Sequence, residues 1–294
     1  MTPVDLVRLA PLMNRTQGRP EVTVGLIDGP VTMDHPDLAR ARIRQIPGTI
    51  GGACSSIGSE ACRHGTFVAG ILCADRRSVA PAICPGCTIL IRPVFAEALA
   101  NGALLPGTTP KELATAIIEC VEAGAGVVNL SLALSRSSPN GEPELTAALD
   151  FAAQRGVIVV AAAGNQGLVG SSAATRHPWV IPVVACDLEG RPAHRTNLGG
   201  SLGRRGLRAP DAGVTSLGSE GQPLTFGGTS VAAPFVTGTI ALLWSEFPDA
   251  TAAEIRTAVS PARASNRVSI VPPLLDAWGA FDIVSTTRGR RRIA

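Results

Sequence analysis

Apolar residues along this chain follow two alternating rhythms. Short β-branched runs are separated by segments in which apolar positions recur every three or four residues. Val22–Ile27 is the first short run and ends at Asp28. Thr88–Phe95, Gly126–Leu132, Val157–Ala162 and Val180–Cys186 follow it and read as further strands. His64–Cys73 carries the helical stripe Phe67, Val68, Ile71 and Leu72. Lys111–Ala123 sets Leu113, Ile117, Ile118 and Val121 on one side and stops at Gly124. Pro143–Arg155 reads as a helix closed by Gly156. Thr229–Phe247 is a long apolar helix with Pro234 in its first turns, where proline is tolerated. Thr251–Val259 is the last helix, with Glu254 three residues after Thr251 in a capping-box pattern. Strands alternating with helices predict an α/β fold with a parallel sheet covered on both faces. Gly48–Glu60 and Ala98–Pro110 read as loops. No repeat and no linker divides the chain. One domain over residues 1–294 is expected, with a core at about 21–260 and a flexible basic tail at about 285–294.

Composition narrows the class. Of 294 residues, 45% are hydrophobic and 17% charged, enough to fill a large core and unlike a disordered chain. The net charge of +3 is too small to argue for a nucleic-acid partner. No uncharged apolar stretch is long enough to span a membrane. Asp5 and Arg8 interrupt the first apolar stretch, so no secretory signal is visible and a cytoplasmic location is expected. In that reducing setting most of the seven cysteines should be thiols. Cys84-Pro-Gly-Cys87 lacks a second ligand pair for zinc, and Cys120 and Cys186 sit in apolar runs as small core residues. If oxidation occurs, the sequence-local pairs Cys54–Cys62 and Cys84–Cys87 are the ones expected to bridge.

Reactive side chains stand at strand ends and helix starts, where open α/β sheets bind ligands. Asp28 follows the first strand. His64 opens a helix in His64-Gly65-Thr66-Phe67-Val68-Ala69-Gly70, and Ser230 opens another in Gly228-Thr229-Ser230-Val231-Ala232-Ala233-Pro234. A serine hydroxyl is a weak nucleophile and needs an adjacent base; a neutral imidazole supplies it, and a buried carboxylate orients that imidazole. A helix N-terminus favours developing negative charge. A further run, Val159-Val160-Ala161-Ala162-Ala163-Gly164-Asn165, ends in an amide able to donate to an oxyanion.

In this order and with these flanks, Asp28, His64, Asn165 and Ser230 resemble the subtilases, from about Glu21 to Val259. The resemblance implies a three-layer subtilisin-like fold and a serine endopeptidase acting on peptide or protein substrates, with Asp28, His64 and Ser230 as its triad and Asn165 as oxyanion donor. Asn129-Leu130-Ser131-Leu132-Ala133-Leu134 looks like the family's substrate strand, which implies substrate contacts at Ser131, Leu132 and Ala133, and at Gly164. Ala209-Pro210 resembles the turn before the nucleophile hairpin. No cofactor is implied; a structural calcium held by loop oxygens is a family possibility whose ligands stay open.

Departures point to a narrower likeness. Asp28-Gly29-Pro30 stands where the family has Asp-Thr-Gly or Asp-Ser-Gly, Ala133 and Leu134 replace the usual glycines, and no segment of propeptide length precedes Glu21. Leu26–Val31, His35-Pro36 and Ile91–Phe95 resemble the subtilase domains of cyanobactin maturation, which implies cleavage of a ribosomally made precursor peptide. Only Cys73 to Pro81 separates the histidine helix from the next region, too little for a macrocyclase lid, so hydrolysis is expected rather than cyclisation.

Blander readings exist for each residue. A serine at a helix start is an ordinary N-cap, and Asn165 and Asp28 are ordinary turn residues. His35, His177 and His194 read as surface or loop residues, and Asp34 and Asp37 as a polar turn. A non-catalytic peptide-binding subtilase would have a broken triad, which is not seen. An esterase would need Ser before Asp before His with the serine in a G-x-S-x-G elbow, whereas the order here is the reverse in its essentials and Gly228-Thr229-Ser230 is not that elbow. A general intracellular degradative subtilase stays open beside the maturation role.

Overall fold

A computed structural model describes residues 1–48, 51–95, 97, 108–132, 142–260 and 269–291. Its strands are β1 (Thr23–Asp28), β2 (Arg42–Gln45), β3 (Thr88–Pro93), β4 (Val127–Leu130), β5 (Ile158–Ala162), β6 (Ile181–Cys186), β7 (Leu207–Pro210), β8 (Thr215–Ser216) and β9 (Leu224–Thr225). The helices are α1 (Pro3–Leu6), α2 (Ala10–Arg15), α3 (Glu60–Cys73), α4 (Pro110–Glu122), α5 (Glu142–Gln154), α6 (Ala173–Arg176), α7 (Gly200–Arg205), α8 (Thr229–Glu246), α9 (Ala252–Val259) and α10 (Ala277–Arg291).

Seven strands form one parallel sheet in the order β2-β3-β1-β4-β5-β6-β7, and β8 and β9 make a separate antiparallel hairpin. Successive strand side chains point to opposite faces, so each strand feeds two cores. Val24, Leu26, Val127, Ile158 and Val160 pack on the face of α3 and α8. Ile27, Val128, Val159 and Ala161 pack on the other, against α4 and α5. This is the expected three-layer arrangement. Strand order reverses between β1 and its neighbours β3 and β4, a switch point that opens a crevice at the carboxyl ends of the strands.

Several boundaries differ from the sequence reading. α3 begins at Glu60, capped by the Ser59 side chain, so His64 lies one turn inside the helix rather than opening it. The first twenty residues belong to the core: Val7, Leu9 and Leu12 are fully buried, and the Ala277 N–H donates to the Val7 carbonyl at 2.9 Å. Where a flexible tail was expected from about 285, α10 continues to Arg291; it packs on α9 and α2 and buries Ala277, Ala280 and Val284, and residues 292–294 lie outside the described residues. Low hydrophobic periodicity hides this helix, because its packing relies on small residues and on Phe281, which stacks on Trp278 and meets Phe247 at a tilt. Residues 207–210 form an edge strand, more than the turn expected at Ala209-Pro210. Most of the Ala98–Pro110 loop lies outside the described residues. No helix among the described residues is long and apolar enough to cross a membrane.

Candidate active site

Asp28 is the last residue of β1 and is fully buried. Its Oδ1 accepts from the Gly29 N–H at 2.6 Å and from His64 Nδ1 at 2.7 Å. Its Oδ2 is buried without a hydrogen-bond partner among the described residues. Helix α3 reaches Asp28 because two glycines let backbones touch. A Cβ on Gly29 would lie 2.0 Å from the Ala61 carbonyl oxygen, and one on Gly65 would lie 2.3 Å from that of Pro30. The Thr66 hydroxyl accepts from the Thr32 N–H at 2.9 Å and ties the same helix to the turn after Asp28.

His64 keeps 22% of its side-chain surface exposed, so one edge faces the crevice. Its ring stacks on Phe226, with centroids 6.2 Å apart. Burial is the largest influence on its pKa and acts downward. The Asp28 charge and hydrogen bond, with Glu60 behind them, outweigh it, and the net shift is upward. The Asp28 contact fixes the ring tautomer with the proton on Nδ1 and leaves Nε2 free to accept.

Ser230 is the second residue of α8 and is half-buried. Pro234 has no N–H for the carbonyl four residues back, which is that of Ser230. The Ser131 hydroxyl fills the gap, donating to the Ser230 carbonyl at 3.0 Å. Ser131 in turn accepts from Asn129 Nδ2 at 2.6 Å, and Asn129 Oδ1 accepts from the Thr237 hydroxyl at 2.7 Å. A polar chain thus runs from the end of β4 along α8 and closes on itself, as a buried polar network must.

Asn165 lies three residues past β5. Its Oδ1 accepts from the Thr229 N–H at 2.8 Å, which commits the other end of the amide, Nδ2, to donation elsewhere. The Thr229 hydroxyl accepts from the Gly164 N–H at 3.0 Å. Gly164 has φ 103°, and a Cβ there would strike Asn197 Nδ2 at 2.4 Å. Asn197 braces the loop, accepting from the N–H groups of Gln166 and Leu168 and donating to the Ala163 carbonyl. Gly228 caps α8 with φ 109°, and its N–H donates to Asp211 Oδ2 at 2.6 Å.

Every predicted site residue that is described falls at this end of the sheet, although the predicted contacts differ in kind. The Leu132 side chain is buried in the core beneath α4 and α5 instead of facing the crevice. Ala133 and Leu134 lie outside the described residues. His35 and His177 lie in loops, one of the two expected settings, but are buried there rather than at the surface: His35 Nδ1 accepts from the Asp37 N–H, and His177 meets Asp150 at 3.1 Å. His194 is exposed. Sequence reasoning passed over Asn129, Asn197, Asp211, Phe226 and Thr237. Asn129 did leave a signal, a polar residue inside the buried run Val127–Leu130.

The five free cysteines are buried, which argues against a nucleophilic role for them. Burial pushes the thiols of Cys73, Cys120 and Cys186 up to about 12. Cys54 and Cys62, one of the two local pairs expected to bridge on oxidation, are joined in a disulfide, while the other pair, Cys84 and Cys87, is buried and free, as are Cys73, Cys120 and Cys186. Among the described residues, the group close enough to share a metal is Cys54, Cys62 and Glu97. Two of these donors are bonded to each other, and the Glu97 carboxylate accepts from the Ser55 and Ser56 N–H groups. Such a set does not suit calcium, which takes about six to eight oxygens.

Comparison with known proteins agrees with this geometry. The model of the subtilase family matches residues 19–269. Subtilisin DY of Bacillus licheniformis is 30% identical over 248 residues, covering 81% of this chain and 82% of its own. Subtilisin amylosacchariticus of Bacillus subtilis subsp. amylosacchariticus is 28% identical over 80% of the chain, which spans 58% of that relative's length. Among solved structures, a mutant of the protease domain of PatA superposes with a TM-score of 0.82 at 28% identity, covering 92% of this chain and 97% of that one. The prenylagaramide maturation protease PagA gives 0.79 at 25% identity, covering 94% and 98%. The PatG macrocyclase in complex with peptide, at 21% identity and 0.81, shares the fold. With this match over most of its length, the chain belongs to the subtilase family and is a serine endopeptidase.

Proposed function

We propose that Asp28, His64 and Ser230 form the catalytic triad of a peptidase that trims a ribosomally made precursor peptide. The Ser230 hydroxyl attacks the scissile carbonyl while His64 Nε2 takes its proton. The tetrahedral oxyanion accepts from Asn165 Nδ2. The bond to the leaving amine breaks as His64 returns the proton to it, and water then hydrolyses the acyl-enzyme by the same base. Asp28 keeps the imidazole in the accepting tautomer and stabilises the imidazolium. Backbone groups at Ser131 and Ala133 pair with the substrate as an added strand.

The observation that carries this reading is the buried 2.7 Å contact between Asp28 and a half-open His64. An imidazole oriented by a buried carboxylate, with its other edge in a crevice, is arranged for proton transfer. The maturation role draws support from two neighbours, described as the patellamide and prenylagaramide maturation proteases, at 27% and 25% identity.

The test is Ser230→Ala, compared with wild type for casein cleavage and fluorophosphonate labelling. Loss of both with an unchanged melting temperature is expected; equal labelling of the two proteins overturns the triad. For the role, a proteome-derived peptide library digested at low enzyme concentration should yield a narrow motif several residues long. Cuts after many residue types would instead assign broad degradation.

A further inference from the structure

We propose that Asp211 is a positioning residue for the nucleophile: by holding the Gly228 N–H, its carboxylate fixes the glycine pair from which Ser230 is presented. The proposal rests on Ser230 being the nucleophile.

Gly227 and Gly228 directly precede the α8 residues Thr229 and Ser230. Two adjacent glycines have the largest conformational freedom any dipeptide can lose, and Gly228 is held at φ 109°, where residues with a Cβ rarely go. A Cβ on Gly228 would also lie 2.8 Å from Asn165 Nδ2, so the segment is glycine because the amide approaches it. That freedom has to be removed from outside. Asn165 and Gly164, after β5, hold Thr229 through its N–H and hydroxyl. Asp211, after β7, holds Gly228 at 2.6 Å, and the same Oδ2 lies 3.3 Å from where a Cβ on Gly227 would stand.

Asp211 is itself anchored. Pro210 pairs with Cys186 in the sheet, and the Asp211 N–H donates to the Cys186 carbonyl at 3.1 Å. The carboxylate therefore transmits the position of a sheet strand to the helix start. It also borders a cavity of about 440 Å³ shared with Asn165, His194, Arg195, Gly227 and Gly228. Burial raises its pKa, and Asp187 adds to the rise, while the N–H bonds from Gly228 and Ala212 oppose it. Because it touches Gly228 rather than the reacting atoms, its loss should displace Ser230 without weakening substrate binding.

Wild type, Asp211→Ala and Asp211→Asn are compared for kcat, KM, fluorophosphonate labelling rate and melting temperature. Asp211→Ala should lower kcat and labelling rate together by about 10–100-fold, as misplacement of a reacting group does, with KM within about twofold. Asp211→Asn keeps an acceptor oxygen and should restore both to within a few-fold. An effect confined to KM would make Asp211 a substrate-binding group of the cavity and overturn the proposal, as would an unchanged labelling rate in Asp211→Ala. Should Asp211→Ala fail to fold, an Asp211→Asn protein as impaired as Ser230→Ala would overturn it too, since a retained acceptor would then not suffice. If Ser230→Ala is still labelled, the triad reading fails first. If it is silent and Asp211→Ala is normal, only this inference fails.

Discussion

The proposed acid–base half of the site and the proposed nucleophile half are held in place by different physics. Asp28 and His64 meet because backbones touch: Gly29 and Gly65 let α3 press on the turn after β1, and no side chain fits between. Asp28 is sparsely satisfied, with Oδ1 shared by two donors and Oδ2 without a partner among the described residues. Around Ser230 the helix start is cross-linked to β4, β5 and β7 by side-chain hydrogen bonds from Ser131, Asn165, Thr229 and Asp211. A carboxylate that must stabilise a transient imidazolium gains from being poorly satisfied, since any other donor would compete for its charge. A nucleophile gains from a rigid backbone, since its task is to arrive at a fixed distance.

That contrast is broken most directly at Asp28. Asp28→Asn keeps the shape and removes the charge, and turnover should fall by about 10⁴. The fold should persist, because Asn retains an oxygen for the Gly29 N–H and no longer buries a charge. Melting curves beside kcat/KM check both halves, and a loss below tenfold would deny Asp28 its role.

On the nucleophile side, after Ser230 itself, the largest effect is expected at Asn165. Asn165→Ala should lower kcat by about 10²–10³ with little change in KM, the range known for the corresponding donor of subtilisin. The same change removes the acceptor for the Thr229 N–H, so a small fall in melting temperature should accompany it. A loss confined to KM would exclude the oxyanion role.

A weaker effect tests the polar chain beneath Ser230. Ser131→Ala strips the donor that replaces the N–H missing at Pro234 and leaves a carbonyl unsatisfied, at a cost of about 1–3 kcal/mol in stability. Thr237→Val acts one link away, leaving Asn129 Oδ1 without its donor. Because the two belong to one network, the double mutant should lose less than the sum of the singles. Strict additivity by denaturant melts would show that the chain is not one unit.

How much of this was legible in the sequence follows the same division. The strand and helix periods located β1, β3 to β6, α4, α5, α8 and α9 to within a residue or two, because each buries a continuous stripe. The residues proposed as reactive stood out because their order and flanks are specific. Asp211, Asn197 and Phe226 were not, since each acts across distant segments through one contact that no local period encodes. The start of α3 was misplaced because Ser59, Glu60 and Cys62 look like the Gly- and Ser-rich loop before them. The terminal helices α1, α2 and α10 were missed for a similar reason: they are short or poorly amphipathic, and α2 and α10 pack on one another and on α8 and α9.

The smallest expected effect concerns the electrostatic surroundings of His64. Glu60 lies one turn before it on α3 and helps raise its pKa above the ordinary 6.5, a helical pair of the i,i+4 kind. In the proposed mechanism the base must be neutral to accept the Ser230 proton, so activity should fall as pH drops through the raised value. Glu60→Gln removes a negative charge that favours the imidazolium, lowers the His64 pKa and moves the acid limb of kcat/KM to lower pH. Glu60 is largely exposed and already paired with Arg63 at 3.1 Å, so solvent screens the effect and salt should diminish it. Stability carries the same sign. A histidine with a raised folded pKa adds stability that is complete below its unfolded value and fades as pH rises through the folded one. Glu60→Gln should therefore melt lower relative to wild type at acid pH than at alkaline pH. The Arg63 pair is lost at every pH, so it cancels when the two differences are compared. An acid limb that moves upward, or a melting difference independent of pH, would mean that Glu60 does not act on His64 and that Asp28 alone sets the base.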